Sequence, residues 1–304
     1  FKDFFINLPP IVTSVAGTGL PVSLFFNFSA LPTTFVWLGF YPLILSNEIR
    51  SNFIYKISPI ILIGMSLFIM QRRMIYVGII GVIFFLIYFN KQSFKKTMVY
   101  LFLMFLLLYL VSLFGIKFEG KLGNPSITFF FKHFISFLPG FGETNPEFSS
   151  PAGTAEIRIM WWSQIIERSF SSLRLFLFGQ GYGMELIDFP TAYGRLSREP
   201  HNAIISIYAR MGLLGLLIWL WMHIIFFKTW LKFYKYTVSN NLITERNRLL
   251  YLAVFLVMLL ASSMGGSLFQ DSFYAVPYYF FWGVILRICY NLNNNLNKRN
   301  QNEI

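Results

Sequence analysis

Arg72 and Arg73 stand side by side between two uncharged runs, 57–71 and 74–90. Basic side chains at hydrocarbon depth are costly, and their default reading is functional. The guanidinium fork matches phosphate oxygens two at a time, which an ammonium group cannot do. This pair therefore has the chemistry to hold an anion. The structural alternative is two helix-end arginines reaching out to a headgroup layer.

Glu199-Pro200-His201-Asn202 opens another long apolar run. Pro200 suits the start of a helix, and His201 falls in its first turn. A neutral imidazole there could accept a proton from a sugar hydroxyl. The plain alternative is a helix cap or a solvated side chain. Arg210 lies about two and a half turns further along a helix and needs a partner at that depth. Glu185, Asp188 and Glu199 are the acids considered for it.

Gly179-Gln180-Gly181-Tyr182-Gly183 follows the apolar run LRLFLF. Its spacing is not that of a dinucleotide loop, and no βαβ pattern surrounds it, so a tight turn at a membrane surface is expected. His133 and His223 have no metal-ligand spacing. With Cys289 as the single cysteine, neither an internal disulfide nor a cysteine metal site can form. No metal and no cofactor are expected.

These residues must be positioned by elements of a particular kind. The chain has 304 residues, 56% hydrophobic, 20% aromatic and 12% charged. Ordinary soluble domains carry about 25% charged residues. Spanning helices need about 20 apolar residues. Runs at 28–46, 57–71, 74–90, 97–116, 202–227, 249–270 and 272–290 meet or approach that length. The expected fold class is all-α: a polytopic transmembrane helix bundle with one large extracytoplasmic loop containing short surface helices. Residues 1–27, with five Pro and Gly between Pro9 and Pro21, read as a membrane-edge loop or half helix. The chain opens on Phe1 and reads as lacking its true N-terminus, with no cleavable signal peptide.

If the spans alternate, one set of connections collects the bases: Arg50, Lys56, Lys91, Lys95, Lys96, Lys228, Lys232, Lys235, Arg246, Arg248, Arg287, Lys298 and Arg299. That side is the cytoplasm. The net charge of +12 thus reports topology, not a nucleic-acid partner. Segment 117–200 lies on the other side and balances its acids and bases. Within it, 153–168 has helical spacing and is expected on the membrane surface, with Trp161 and Trp162 at the headgroups. The division is 1–116, an N-terminal membrane part of three to four spans; 117–200, the outer loop; 201–290, a C-terminal membrane part; and 291–304, an Asn-rich tail expected to be disordered.

Arg158 with Trp162, Gly179 and Gly181 with Gly183, His201-Asn202, and Gly212 with Gly215 occur in that order. In this the stretch 155–220 resembles the O-antigen ligase and O-antigen polymerase superfamily. The Arg72–Arg73 turn is similar to that family's arginine-bearing turn, although Gln-Arg-Arg stands where Ser-Arg-Gly is usual. Phe26-Asn27-Phe28-Ser29 is similar to an Asn-Pro-Asn element but lacks the proline. The resemblance implies a bacterial inner-membrane glycosyltransferase with its active site on the extracytoplasmic face. Its donor would be a polyprenyl-diphosphate-linked oligosaccharide and its acceptor a glycan or lipid-core hydroxyl. A chain-length regulator or assembly protein would be a further partner. Arg72, Arg73 and Arg158 would hold the diphosphate, with Arg195, Arg198 and Arg210 behind them, and His201 would serve the acceptor.

A polysaccharide or lipid transporter is the competing reading. Transporters commonly show internal repeats and paired ionisable residues within spans. This chain has no repeat, and its charges concentrate in one loop. An assembly subunit without activity is a third reading. Polymerase, ligase and protein glycosyltransferase are not separated by the sequence.

Overall fold

The computed structural model describes residues 13–14, 21–22, 31–45, 53–69, 73–113, 155–187, 200–265 and 272–302. The helices are α1 (Leu31–Ile44), α2 (Phe53–Gly64), α3 (Arg73–Phe89), α4 (Lys91–Leu113), α5 (Ala155–Phe170), α6 (Leu173–Phe178), α7 (Ala203–Ser239), α8 (Ile243–Ser262) and α9 (Ser272–Asn302). A π turn, Met65–Ile69, ends α2 just before the Arg72–Arg73 pair. Among the described residues, the exception to helix is a two-residue antiparallel pair, β1 (Thr13–Ser14) with β2 (Pro21–Val22). It stands where a loop or half helix was expected; Pro21 has no N–H to give a helix interior and is tolerated at a strand edge.

Helix α8 is the hub, packing against α1, α3, α7 and α9. Leu249, Leu250, Val254 and Met258 lie fully buried along it. Its closest neighbour is α3, and small residues make that approach: a Cβ on Gly81 would lie 2.7 Å from the Cβ of Ala261. Where lipid replaces water, helices pack through such small residues because the hydrophobic effect no longer drives them together.

Hydrogen bonds between helix ends define two ends of the bundle. At one, Ser262 Oγ donates to the Met74 carbonyl (3.0 Å) and Asn202 Nδ2 to the Met264 carbonyl (2.9 Å). This end gathers the starts of α3, α7 and α9 and the finish of α8. At the other, Ser93 Oγ donates to Leu43 O (3.2 Å) and Tyr234 OH to Phe89 O (2.7 Å). Lys91, Lys95 and Lys96 open α4 at this second end; Lys228, Lys232 and Lys235 close α7, and Arg246 and Arg248 open α8 there.

Among the described residues, two helices, Lys91–Leu110 and Ala203–Ser239, are long and apolar enough to cross a membrane; Thr33–Ile44, Phe53–Leu67 and Met74–Phe89 are shorter apolar helices. Phe102, Leu107, Ile218 and Trp221 stand exposed on the long pair. Such apolar outer faces are stable in hydrocarbon and not in water. The stretch 291–302, expected to be disordered, instead continues α9. Leu292 and Leu296, four residues apart, pack on the core and extend the helix past its apolar run.

Candidate functional site

Helix α5 is placed by one face. Trp161 and Ile165 are buried in a second small core with Leu186, Ile187 and Ala209. Trp161 is 3% exposed, so its ring is packed inside the protein and not turned outward to lipid. Its four-residue spacing from Ile165 gives α5 an apolar stripe, and that stripe is filled by the segment after α6 and by α7. Trp162 is half-buried and donates its indole N–H to the Pro200 carbonyl at 2.8 Å.

That bond ties α5 to the start of α7. Asn202 is the N-cap, its side chain accepting from Ile205 N at 3.1 Å. Ser, Thr, Asp and Asn are favoured there because their oxygens satisfy an orphan N–H of the first turn. Between the cap and Pro200, His201 has φ +52°, in the left-handed region that non-glycine residues seldom adopt.

The His201 ring lies beside Trp161, with ring centres 6.3 Å apart. Burial, and then the positive charge of Arg158, push its pKa down from 6.5 to about 4. The imidazole is therefore neutral across the physiological range. The shift also shows that Arg158 and His201, separated by 43 positions in sequence, act on one another in space. The Trp161 Nε1 is buried with no hydrogen-bond partner among the described residues, an unspent donor within this cluster.

Below this cluster α7 is broken. Gly212 has φ +67° and ψ −171°, which interrupts the helix two residues after Arg210. The break releases carbonyls, and the glycine loop uses two of them: Gln180 N donates to Ala209 O (2.7 Å) and Gly181 N to Arg210 O (2.9 Å). Arg210, 6% exposed, returns the favour: its Nη1 donates to the carbonyls of Gly181 (3.0 Å) and Met184 (2.8 Å). These carbonyl bonds seat Arg210 in the glycine loop, about 13 Å of helix rise from His201. Of the acids considered as its partners, Asp188 and Glu199 lie outside the described residues. The tight-turn reading of the loop holds, with Gly179, Gly181 and Gly183 all at positive φ.

Arg73 begins α3 at this same end of the bundle. Arg72, Arg195 and Arg198 lie outside the described residues. His223, which carried no functional signal in the sequence, clasps α7 to α9: Nδ1 lies 2.8 Å from Trp219 O, and Nε2 lies 2.9 Å from Tyr278 OH. A carbonyl only accepts, so Nδ1 holds the proton and Tyr278 donates to Nε2. Asn202 and the buried Trp161 are site residues whose roles the sequence did not give. The Asn-before-apolar-run signal could have found the first; nothing local marks the second.

A family model described as O-antigen ligase matches residues 59–220, more than half of the chain, a range that includes Arg158, His201 and Arg210. No curated protein and no solved structure matches.

Proposed function

Because the chain belongs to the O-antigen ligase family, whose work is surface polysaccharide assembly, we propose that it transfers a polyprenyl-diphosphate-linked glycan to an acceptor hydroxyl, as ligase or polymerase. The observation that carries this reading is the pairing of a neutral His201 with the Arg158 cation at one end of the bundle. Arg158, with Arg73 at the start of α3 or its sequence neighbour Arg72, holds the donor diphosphate. Arg195 and Arg198 are further anion ligands from the same outer segment. His201 accepts the acceptor's proton.

In the reaction, the bond from the sugar's anomeric carbon to the diphosphate oxygen breaks. A bond from that carbon to the acceptor oxygen forms. The hydroxyl proton passes to His201, and the polyprenyl diphosphate leaves as an anion neutralised by the arginines. An imidazole drawn down to about 4 is a weak base while the site is empty. Burial is the larger cause of that shift; a bound diphosphate offsets the Arg158 charge and so returns part of the basicity when the acceptor arrives. The bundle is multi-pass in the bacterial inner membrane, its basic end cytoplasmic and its His201 end outside. The one-sided lysines and arginines support that orientation.

Purified protein in a bilayer, given only a lipid-diphosphate glycan and a glycan acceptor, should release polyprenyl diphosphate and lengthen the acceptor. Arg158→Lys at equal protein level should cut the rate about tenfold or more, since a point charge does not reproduce the fork. No release by the wild type, or full release by the variant, would overturn the reading.

A further inference from the structure

We propose that Trp162 and Asn202 are positioning residues that pin the backbone on both sides of His201 and so aim its imidazole at the acceptor. The proposal rests on the reading of His201 as the acceptor-side base and adds how that base is held.

The argument begins with a rotation. The φ angle of His201 turns about the bond from its own nitrogen to its Cα, and that nitrogen shares a rigid peptide plane with the Pro200 carbonyl. Trp162 Nε1 donates to that carbonyl at 2.8 Å, so α5 fixes the plane on the upstream side. Downstream, Asn202 is fixed twice: Oδ1 accepts from Ile205 N at 3.1 Å, and Nδ2 donates to Met264 O at 2.9 Å. The cap bond anchors Asn202 in α7, and the second anchors it to the turn that closes α8. The one residue between these two anchors has the unfavoured φ of +52°.

A helix start does not need a left-handed residue before its cap; capping is complete with Asn202 alone. Unfavoured backbone persists only where its surroundings over-determine it, and it gathers at functional sites. Here the consequence is specific: the imidazole lies against Trp161 and within the field of Arg158. With either anchor released, His201 would relax toward ordinary φ, and its ring would leave that place.

Two uncharged substitutions each remove one bond. Trp162→Phe keeps an aromatic ring and loses the N–H. Asn202→Ser keeps a cap oxygen, loses the donor that reaches Met264 and adds no charge beside His201. Histidine-labelled protein, with the His201 signal assigned by difference from His201→Ala, gives a titration that does not depend on activity. Both variants should insert at wild-type levels, and His201 should titrate nearer the ordinary imidazole value. In the transfer assay kcat should fall about 10–100-fold, the range of a partly lost general base, with the donor KM changed less than about threefold. Adding either substitution to His201→Ala should cause no further loss, as expected of groups that act only through that imidazole. An unchanged His201 titration in both variants, or wild-type kcat in both, overturns the proposal. Should His201→Ala retain full transfer while the titration still moves, the base role fails and the pinning stands.

Discussion

Gly179 and Gly212 meet backbone to backbone: a Cβ on Gly179 would lie 2.5 Å from both the Arg210 carbonyl carbon and the Gly212 nitrogen. A Cβ on Gly212 would in turn strike Leu177 and Phe178. Both residues have φ near +70° with extended ψ, at 73° and −173° for Gly179 and 67° and −171° for Gly212. That region belongs essentially to glycine. The contact lets the 179–181 strand of chain replace the helical donors that the break in α7 removes. Gly212→Ala and Gly179→Ala should each destabilise the protein by about 3 kcal/mol or more, combining backbone strain with a backbone clash. Thermal unfolding in detergent checks this. Gly283→Ala, where a Cβ would meet nothing within 4 Å, should stay near wild type.

Arg210→Met removes both side-chain bonds to the Gly181 and Met184 carbonyls while keeping an apolar stem. Hydrogen bonds from a charged donor are worth about 1.5–3 kcal/mol each. The expected result is faster proteolysis within 179–187 and a lower unfolding temperature. Arg210→Lys should recover part of the loss. An unchanged cleavage rate would show that the clasp contributes nothing.

Much of this was legible in the sequence, and what was not has a physical cause. The runs at 74–90, 97–116 and 249–270 announce α3, α4 and α8, because apolar length alone specifies a helix in lipid. Helix α7 outruns its apolar run of 202–227 by twelve residues, since Trp230, Phe233, Tyr234 and Thr237 bury one face while Lys228, Lys232 and Lys235 stand on the other. His201 and Arg158 were legible by type and order; their nearness was not, for it depends on Trp161 packing against Leu186 and Ile187. The break at Gly212 was hidden too. A glycine within an apolar run reads the same whether it packs a helix or ends one.

Sidedness has a direct check. Ser171 is exposed after α5, and Ser239 is exposed at the end of α7. In a Cys289→Ser background, an impermeant thiol reagent should label Ser171→Cys in intact cells and Ser239→Cys only after lysis. The reverse pattern would invert the bundle.

The pH profile follows from the depressed His201 pKa. The base must be neutral, so activity is lost as pH falls through the folded-state value. In the free enzyme, read by kcat/KM, that acid limb should lie near 4 and not at 6.5. The limb of kcat, read with donor bound, should lie higher, because the diphosphate offsets Arg158. Arg158→Gln should raise the kcat/KM limb, since the Arg158 charge is one of the two causes of the shift. The same linkage makes neutral His201 favour the fold above about 6.5 and lose that contribution as pH drops toward 4. An acid limb at 6.5 in both parameters, unmoved by Arg158→Gln, would separate His201 from the reaction.

The most direct measurement is transfer by His201→Ala, purified, correctly inserted, and supplied with a defined polyprenyl-diphosphate glycan and acceptor. A positioned general base contributes about 10²–10⁴-fold. The account predicts a fall in kcat of about 100-fold or more, with little change in donor KM. Activity within about threefold of wild type, well short of the 1.4 kcal/mol that a tenfold loss represents, would contradict it.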